Sequence, residues 1–186
     1  MRETWQVVLA GEGGQGLIVA GVLLAEAASL YEGKNAAQTQ SYGIATRGGF
    51  TKSEVVISTE EIIYPGVEEP DLALALTEEA YVLYARSLPP EAVLIYDAGL
   101  ICAGQTEKSK ARAYGFPFAD TARELGRVGA ANLVALGAIV ALTGIVREDS
   151  LKKAIRKRFG GSAADANLRA FSRGMELAKT VPSPKI

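Results

Sequence analysis

Histidine is absent from this chain of 186 residues, and cysteine occurs once, as Cys102. Without histidine there is no His-based triad, and the commonest general base and metal ligand are both missing. Chemistry carried by this polypeptide alone must use Asp, Glu, Lys, Tyr or a cofactor. One cysteine excludes an intramolecular disulfide and any iron–sulfur or Cys-rich zinc site built by this chain by itself. Beside Ile101, Cys102 is expected to act as a small, half-buried apolar residue. Charge or glycine interrupts every apolar stretch short of the roughly 18 residues of a membrane span, and the first residues lack a signal-peptide layout. A cytoplasmic protein without membrane association is the expectation.

An excess of either charge is also missing. The net charge is −1, so no global field argues for nucleic acid. The distribution is uneven: residues 151–186 carry nine Lys/Arg against two Asp/Glu, a local +7 that leaves −8 on residues 1–150. A solvated C-terminal helix face accounts for this, and an anion or partner site is the other reading. With 48% hydrophobic content, the chain can bury a full core as one domain.

Short apolar runs alternate with helical patterns. Residues 5–10 read as a strand, followed by glycines and a helix from 17 to about 31. Val55-Val56-Ile57 and residues 72–76 are further strands. Thr77-Glu78-Glu79 reads as an N-cap with acids in the first turn of a helix that stops before Pro89-Pro90. Residues 92–96 are another buried strand, ending at Asp97. Residues 114–118 form a weaker edge strand, because Pro117 cannot donate to a ladder. Residues 129–142 are apolar almost all round, as suits a helix buried in the domain or in a subunit interface. Leu151, Ala154, Ile155 and Phe159 then mark an amphipathic helix stopped by Gly160-Gly161. A last helix runs through Leu168, Phe171, Met175 and Leu177. The order implies an α/β fold: an open, mostly parallel, doubly wound Rossmann-like sheet with helices on both faces and a helical C-terminal third.

Gly11-Glu12-Gly13-Gly14-Gln15-Gly16 places Gly11, Gly13 and Gly16 on the G-x-G-x-x-G spacing between strand and helix. The first glycine would make a tight turn, the second would admit a phosphate, and the third would let helix and strand pack closely. The helix N-terminus would aim N–H groups at an anion. A bound anionic ligand and a purely structural turn both fit. A nicotinamide cofactor fits poorly, because the region about 20 residues on, Lys34 to Gln40, has no carboxylate for the ribose.

The other unusual segment is Gln40-Ser41-Tyr42-Gly43-Ile44-Ala45-Thr46-Arg47-Gly48-Gly49. Arg47, set among small residues, would make an uncluttered fork for a carboxylate or phosphate. A surface loop with a local ion pair is the alternative.

Together these segments carry a resemblance. Gly-x-Gly-Gly-Gln-Gly at 11–16, Ser-Tyr-Gly then Arg-Gly-Gly within 41–49, and Glu-Val-Val-Ile-Ser at 54–58 resemble the gamma subunit of 2-oxoacid:ferredoxin oxidoreductases. Tyr64-Pro65, Pro70-Asp71, Ala131-Asn132, Leu136-Gly137-Ala138 and Leu142-Thr143-Gly144 continue the likeness in order, over nearly the whole chain as one gamma-type domain, residues 1–186. Tyr64-Pro65 and the overall length are most similar to the 2-oxoglutarate or branched-chain enzymes.

The resemblance implies a complex that oxidatively decarboxylates a 2-oxoacid, captures the acyl group on coenzyme A and passes electrons to ferredoxin. Thiamine diphosphate, magnesium and iron–sulfur clusters would sit on partner subunits, since this chain lacks their motifs. It implies no catalytic or metal-ligating residue here. Gly11, Gly13, Gly14, Gln15, Gly16 and Arg47 become candidates for a cofactor such as coenzyme A. Ser41, Tyr42, Gly43, Arg47, Gly48 and Gly49 become candidates for a partner or active-site loop. The corresponding subunit of indolepyruvate:ferredoxin oxidoreductase and a free-standing nucleotide-binding regulatory module are the alternatives.

Overall fold

The computed structural model describes residues 3–42, 49–102 and 108–181. Its first element, β1 (Thr4–Glu12), leads through the glycines into α1 (Leu17–Glu32), then β2 (Asn35–Tyr42) and β3 (Phe50–Ser58). β4 (Leu72–Ala75), α2 (Glu78–Ser87), β5 (Val93–Asp97) and β6 (Arg112–Phe116) follow. The helical remainder is α3 (Phe118–Glu124), a 3-10 turn (Val128–Ala130), α4 (Ala131–Thr143), α5 (Glu148–Phe159) and α6 (Gly161–Ala178).

The six strands lie in the order β2-β3-β1-β4-β5-β6. β1, β4, β5 and β6 pair in parallel, whereas β3 runs antiparallel to both its neighbours, β1 and β2. Five strands therefore point one way and β3 is reversed. Val7 to Ala10 and all of Leu72–Ala75 are buried, the continuous apolar pattern of central strands covered on both faces. β2 and β6 form the edges, and Phe116 is the one buried residue of β6. In a dinucleotide fold the second strand lies beside the first. Here β3 occupies that place, so residues 34–40 are one strand removed from where a ribose carboxylate would act.

α1, α3, α4, α5 and α6 share one core with Val7, Leu9, Leu72, Leu74, Val93 and Ile95. α2 covers the opposite face over Val8, Ala73, Ala75 and Leu94. The apolar helix α4 is buried within the domain, against α6. Each supplies a glycine where the two backbones meet: a methyl on Gly137 would overlap the Phe171 carbonyl oxygen, and one on Gly174 that of Val134.

Three local expectations are corrected. Phe118 does not end a strand; it opens α3 and is fully buried, with Pro117 at the N-cap position, where its missing N–H costs nothing. Cys102 is exposed, because the chain leaves β5 in a turn that buries only Ile101. Gly160, at φ 64, ends α5 as expected, but α6 begins at Gly161 without a linker.

Candidate functional site

α1 leaves β1 toward β3 and β2, and α2 leaves β4 toward β5 on the other face. The switch point, where open α/β sheets accept ligands in a crevice, therefore falls between the C-terminal ends of β1 and β4. The glycine segment forms one wall and residues 76–79 the other.

Gly11 is still in β1, opposite Thr51, and is buried. A Cβ there would overlap the Gln15 amide oxygen and come within 3.2 Å of Leu76. The turn falls instead on Gly14 (φ 95) and Gly16 (φ 74), left-handed conformations that favour glycine. Gly13 and Gly14 are exposed, and open space surrounds the Cβ position of Gly14. The close approach of helix to strand occurs later, at Gly21, where a methyl would overlap the Ser53 hydroxyl.

Gln15 ties the two walls together. The Glu12 N–H donates to its Oε1 at 2.7 Å, and its Nε2 donates to the Leu76 carbonyl at 3.2 Å. Leu76 in turn donates its N–H to Ala10 at 2.9 Å. The Gly13 N–H donates to Gly49 and the Gln15 N–H to Glu12, so an anion here would rely on the first turn of α1. That helix has no side-chain cap and no acidic residue in its first turn. The facing α2 is already served, by Thr77, whose hydroxyl accepts the Ala80 N–H, and by Glu78 and Glu79.

The second motif meets the first through the sheet. Tyr42, Thr51 and Gly11 form one row across β2, β3 and β1, which sets the β2 end about 10 Å from Gly11. Ser41 is exposed near that end, and Gly49 holds the Gly13 N–H at 3.1 Å. Gly43, Arg47 and Gly48 lie outside the described residues.

Asn132, at the start of α4, belongs to this site although the motifs alone do not assign it there. Only 3% exposed, it donates from Nδ2 to the Gly16 carbonyl at 2.9 Å and accepts the Leu133 N–H on Oδ1 at 2.9 Å. A polar side chain at the head of an otherwise apolar helix was its visible signal. At the same end of the sheet, Asp97 is buried. Burial raises its carboxyl above the usual value, opposed by hydrogen bonds from the Ala119 and Gly99 N–H groups, while nearby Asp120 adds to the rise. Its oxygens are engaged in holding α3 to β5. Among the described residues no three His, Cys, Asp or Glu side chains come together as a metal-binding group. No helix among them is long and apolar enough to cross a membrane.

A glycine turn leading into a helix at the switch point of a mixed six-stranded sheet defines an open α/β domain. Residues 6–177 match the pyruvate ferredoxin/flavodoxin oxidoreductase family, and the chain belongs to it. It is 42% identical to the 2-oxoglutarate synthase subunit KorC of Methanocaldococcus jannaschii, over 94% of each protein. It superposes on the keto/oxoacid ferredoxin oxidoreductase gamma subunit from Geobacter sulfurreducens PCA with a TM-score of 0.83 and 40% identity, covering 95% of this chain and 99% of that one. The 2-oxoglutarate:ferredoxin oxidoreductase from Magnetococcus marinus, a structure with 2-oxoglutarate, coenzyme A and succinyl-CoA bound, matches with a TM-score of 0.89 and 28% identity. That match covers 98% of this chain and 32% of the other.

Proposed function

We propose that this chain is the gamma subunit of a 2-oxoglutarate:ferredoxin oxidoreductase and contributes to the coenzyme A side of its active site. The observation that carries the reading is the end-to-end identity with 2-oxoglutarate synthase subunits, 42% in one archaeon and 40% in another, Archaeoglobus fulgidus. Coenzyme A, when bound, supplies the thiol that takes up the acyl group. The residues present suit its phosphates: Gly14 leaves open space, and α1 presents N–H groups without a competing carboxylate. A helix terminus of this kind contributes about 0.3–2 kcal/mol, so partner residues must complete the site. Arg47 is proposed as one charged contact from the segment that ends at Gly49. The donor set does not suit the remaining cofactors. One cysteine cannot ligate a cluster, and the described residues gather no acidic group for magnesium. Thiamine diphosphate, magnesium and clusters therefore belong on partner subunits, from which ferredoxin is reduced.

The test is purification of the native complex through this chain, followed by ferredoxin reduction with 2-oxoglutarate, pyruvate, 2-oxoisovalerate and indolepyruvate. The expected result is coenzyme A-dependent reduction, fastest with 2-oxoglutarate, and none by the isolated chain. A complex without coenzyme A-dependent oxoacid oxidation refutes the reading; a preference for another oxoacid refutes the substrate.

A further inference from the structure

Four of the nine Lys/Arg of residues 151–186 line a groove that the active-site reading does not use. α5 and α6 are joined through Gly160 alone, and a cavity of about 380 Å³ opens between them. Lys152 and Arg156, one turn apart on α5, face Arg169 and Arg173, one turn apart on α6. Lys152 is paired with Glu148 at 2.5 Å and Arg173 with Glu176 at 2.8 Å. Arg156 and Arg169 are exposed and make no ion pair with any described residue, so two planar guanidinium forks stand open on the same groove. Leu168 and the 38%-exposed Leu125, at the end of α3, give it an apolar wall.

We propose that this groove docks an acidic segment of a partner subunit, one that presents carboxylates to Arg156 and Arg169 and an apolar side chain to Leu125 and Leu168. Partly exposed forks beside leucine match such a segment, because guanidinium pairs carboxylates bidentately and the leucines reward an apolar neighbour. A phosphorylated small molecule would leave the leucine wall unused. A nucleic acid would extend beyond the groove, onto a molecule whose first 150 residues carry −8. The occupant is thus short, acidic and partly apolar. That it comes from a subunit of the oxidoreductase rests on the functional reading above.

Two measurements separate the inferences. In the first, the isolated chain is titrated with a fluorescein-labelled peptide of alternating glutamate and leucine, and with its glutamine analogue. Binding of the glutamate peptide that weakens with salt, drops about tenfold in the double variant R156E/R169E, and is absent for the glutamine analogue supports the groove. Replacement of both residues by lysine should restore only part of it, because the charge remains but the fork is lost. Equal binding by wild type and R156E/R169E overturns the proposal, as does equal binding of both peptides. In the second, the complex purified through wild type and through R156E/R169E is compared for salt-induced dissociation. Loss of partner subunits from the variant at lower salt supports the assignment to a subunit, and identical dissociation curves overturn it. Failure of the functional reading would show as a wild-type complex without oxoacid activity, which leaves the peptide titration unaffected.

Discussion

Asn132→Ala offers the most direct probe of how the glycine turn is held. The side chain is buried and makes two hydrogen bonds, to the Gly16 carbonyl and from the Leu133 N–H. The Gly16 oxygen keeps a second partner, the Ala20 N–H at 3.0 Å, so its loss is limited to one ordinary bond. The Leu133 N–H loses its side-chain acceptor in a buried setting. One net bond at about 0.5–1.5 kcal/mol, plus about 1–3 kcal/mol for a buried donor left unsatisfied, gives about 1.5–4.5 kcal/mol. For a domain of this size, each kcal/mol moves Tm by roughly 2–4 °C, so a drop of about 3–18 °C is expected by differential scanning calorimetry. Asn132→Asp sharpens the test. It keeps the acceptor for Leu133 but sets a carboxylate oxygen against the Gly16 carbonyl. It should cost at least as much at pH 7 and recover relative to wild type in acid, where a protonated carboxyl donates to that carbonyl. An unchanged Tm for Asn132→Ala, or an Asn132→Asp protein as stable as wild type at pH 7, would refute the reasoning.

Gly174→Ala should cost about 1–3 kcal/mol or more by forcing α6 off the Val134 carbonyl, whereas Gly129→Ala, which meets nothing within 4 Å, should leave Tm nearly unchanged. Glu32, whose side chain is 7% exposed, accepts the Arg147 N–H and pairs with Lys34 at 3.0 Å. Burial alone would raise its carboxyl, but the Arg147 N–H, Lys34 and Ser150 together hold it below the usual value. A lowered folded pKa stabilises above the unfolded value and loses that contribution as pH falls. The Tm deficit of Glu32→Gln should therefore be full at pH 7 and shrink below about pH 4 in thermal melts. Arg47→Ala should leave folding intact and reduce turnover of the assembled complex about tenfold or more, with Arg47→Lys only partly restoring it. Wild-type kinetics with normal assembly would reduce Arg47 to an ordinary surface residue.

Strand, glycine turn and helix over residues 5–31 were legible because apolar period and glycine placement are local signals, and so was the Thr77 cap. The position of β3 was not, because its apolar residues specify a strand but not which neighbour it pairs with. α3 was missed for a local reason: Phe116-Pro117-Phe118 reads as a short apolar run, and seven residues offer little helical period. The G-x-G-x-x-G spacing located the turn between β1 and α1 but misallocated its parts, since spacing carries no dihedral angles. Gln15 stood inside the motif as a candidate ligand contact. Its amide also bonds to Glu12 and Leu76, a tie across the sheet invisible until the β4 turn is set beside it.

The reversed strand also bears on the order in which the molecule is made. β1, α1, β2 and β3 form a complete three-stranded unit within residues 4–58, closed by the β2–β3 hairpin and the β1–β3 pairing. The β2–β3 pairing joins strands adjacent in sequence, the kind of contact that forms early, and the longer-range β1–β3 pairing needs only the first 58 residues. This unit can exist before β4 has been synthesised; of its two open edges, β2 remains an edge of the finished sheet and β1 awaits a partner. β4 then adds to the β1 edge, and its turn receives the Gln15 amide. The crevice proposed to face coenzyme A is thus the seam between the earliest and the later parts of the nascent protein, and it is completed only when the second half of the sheet docks.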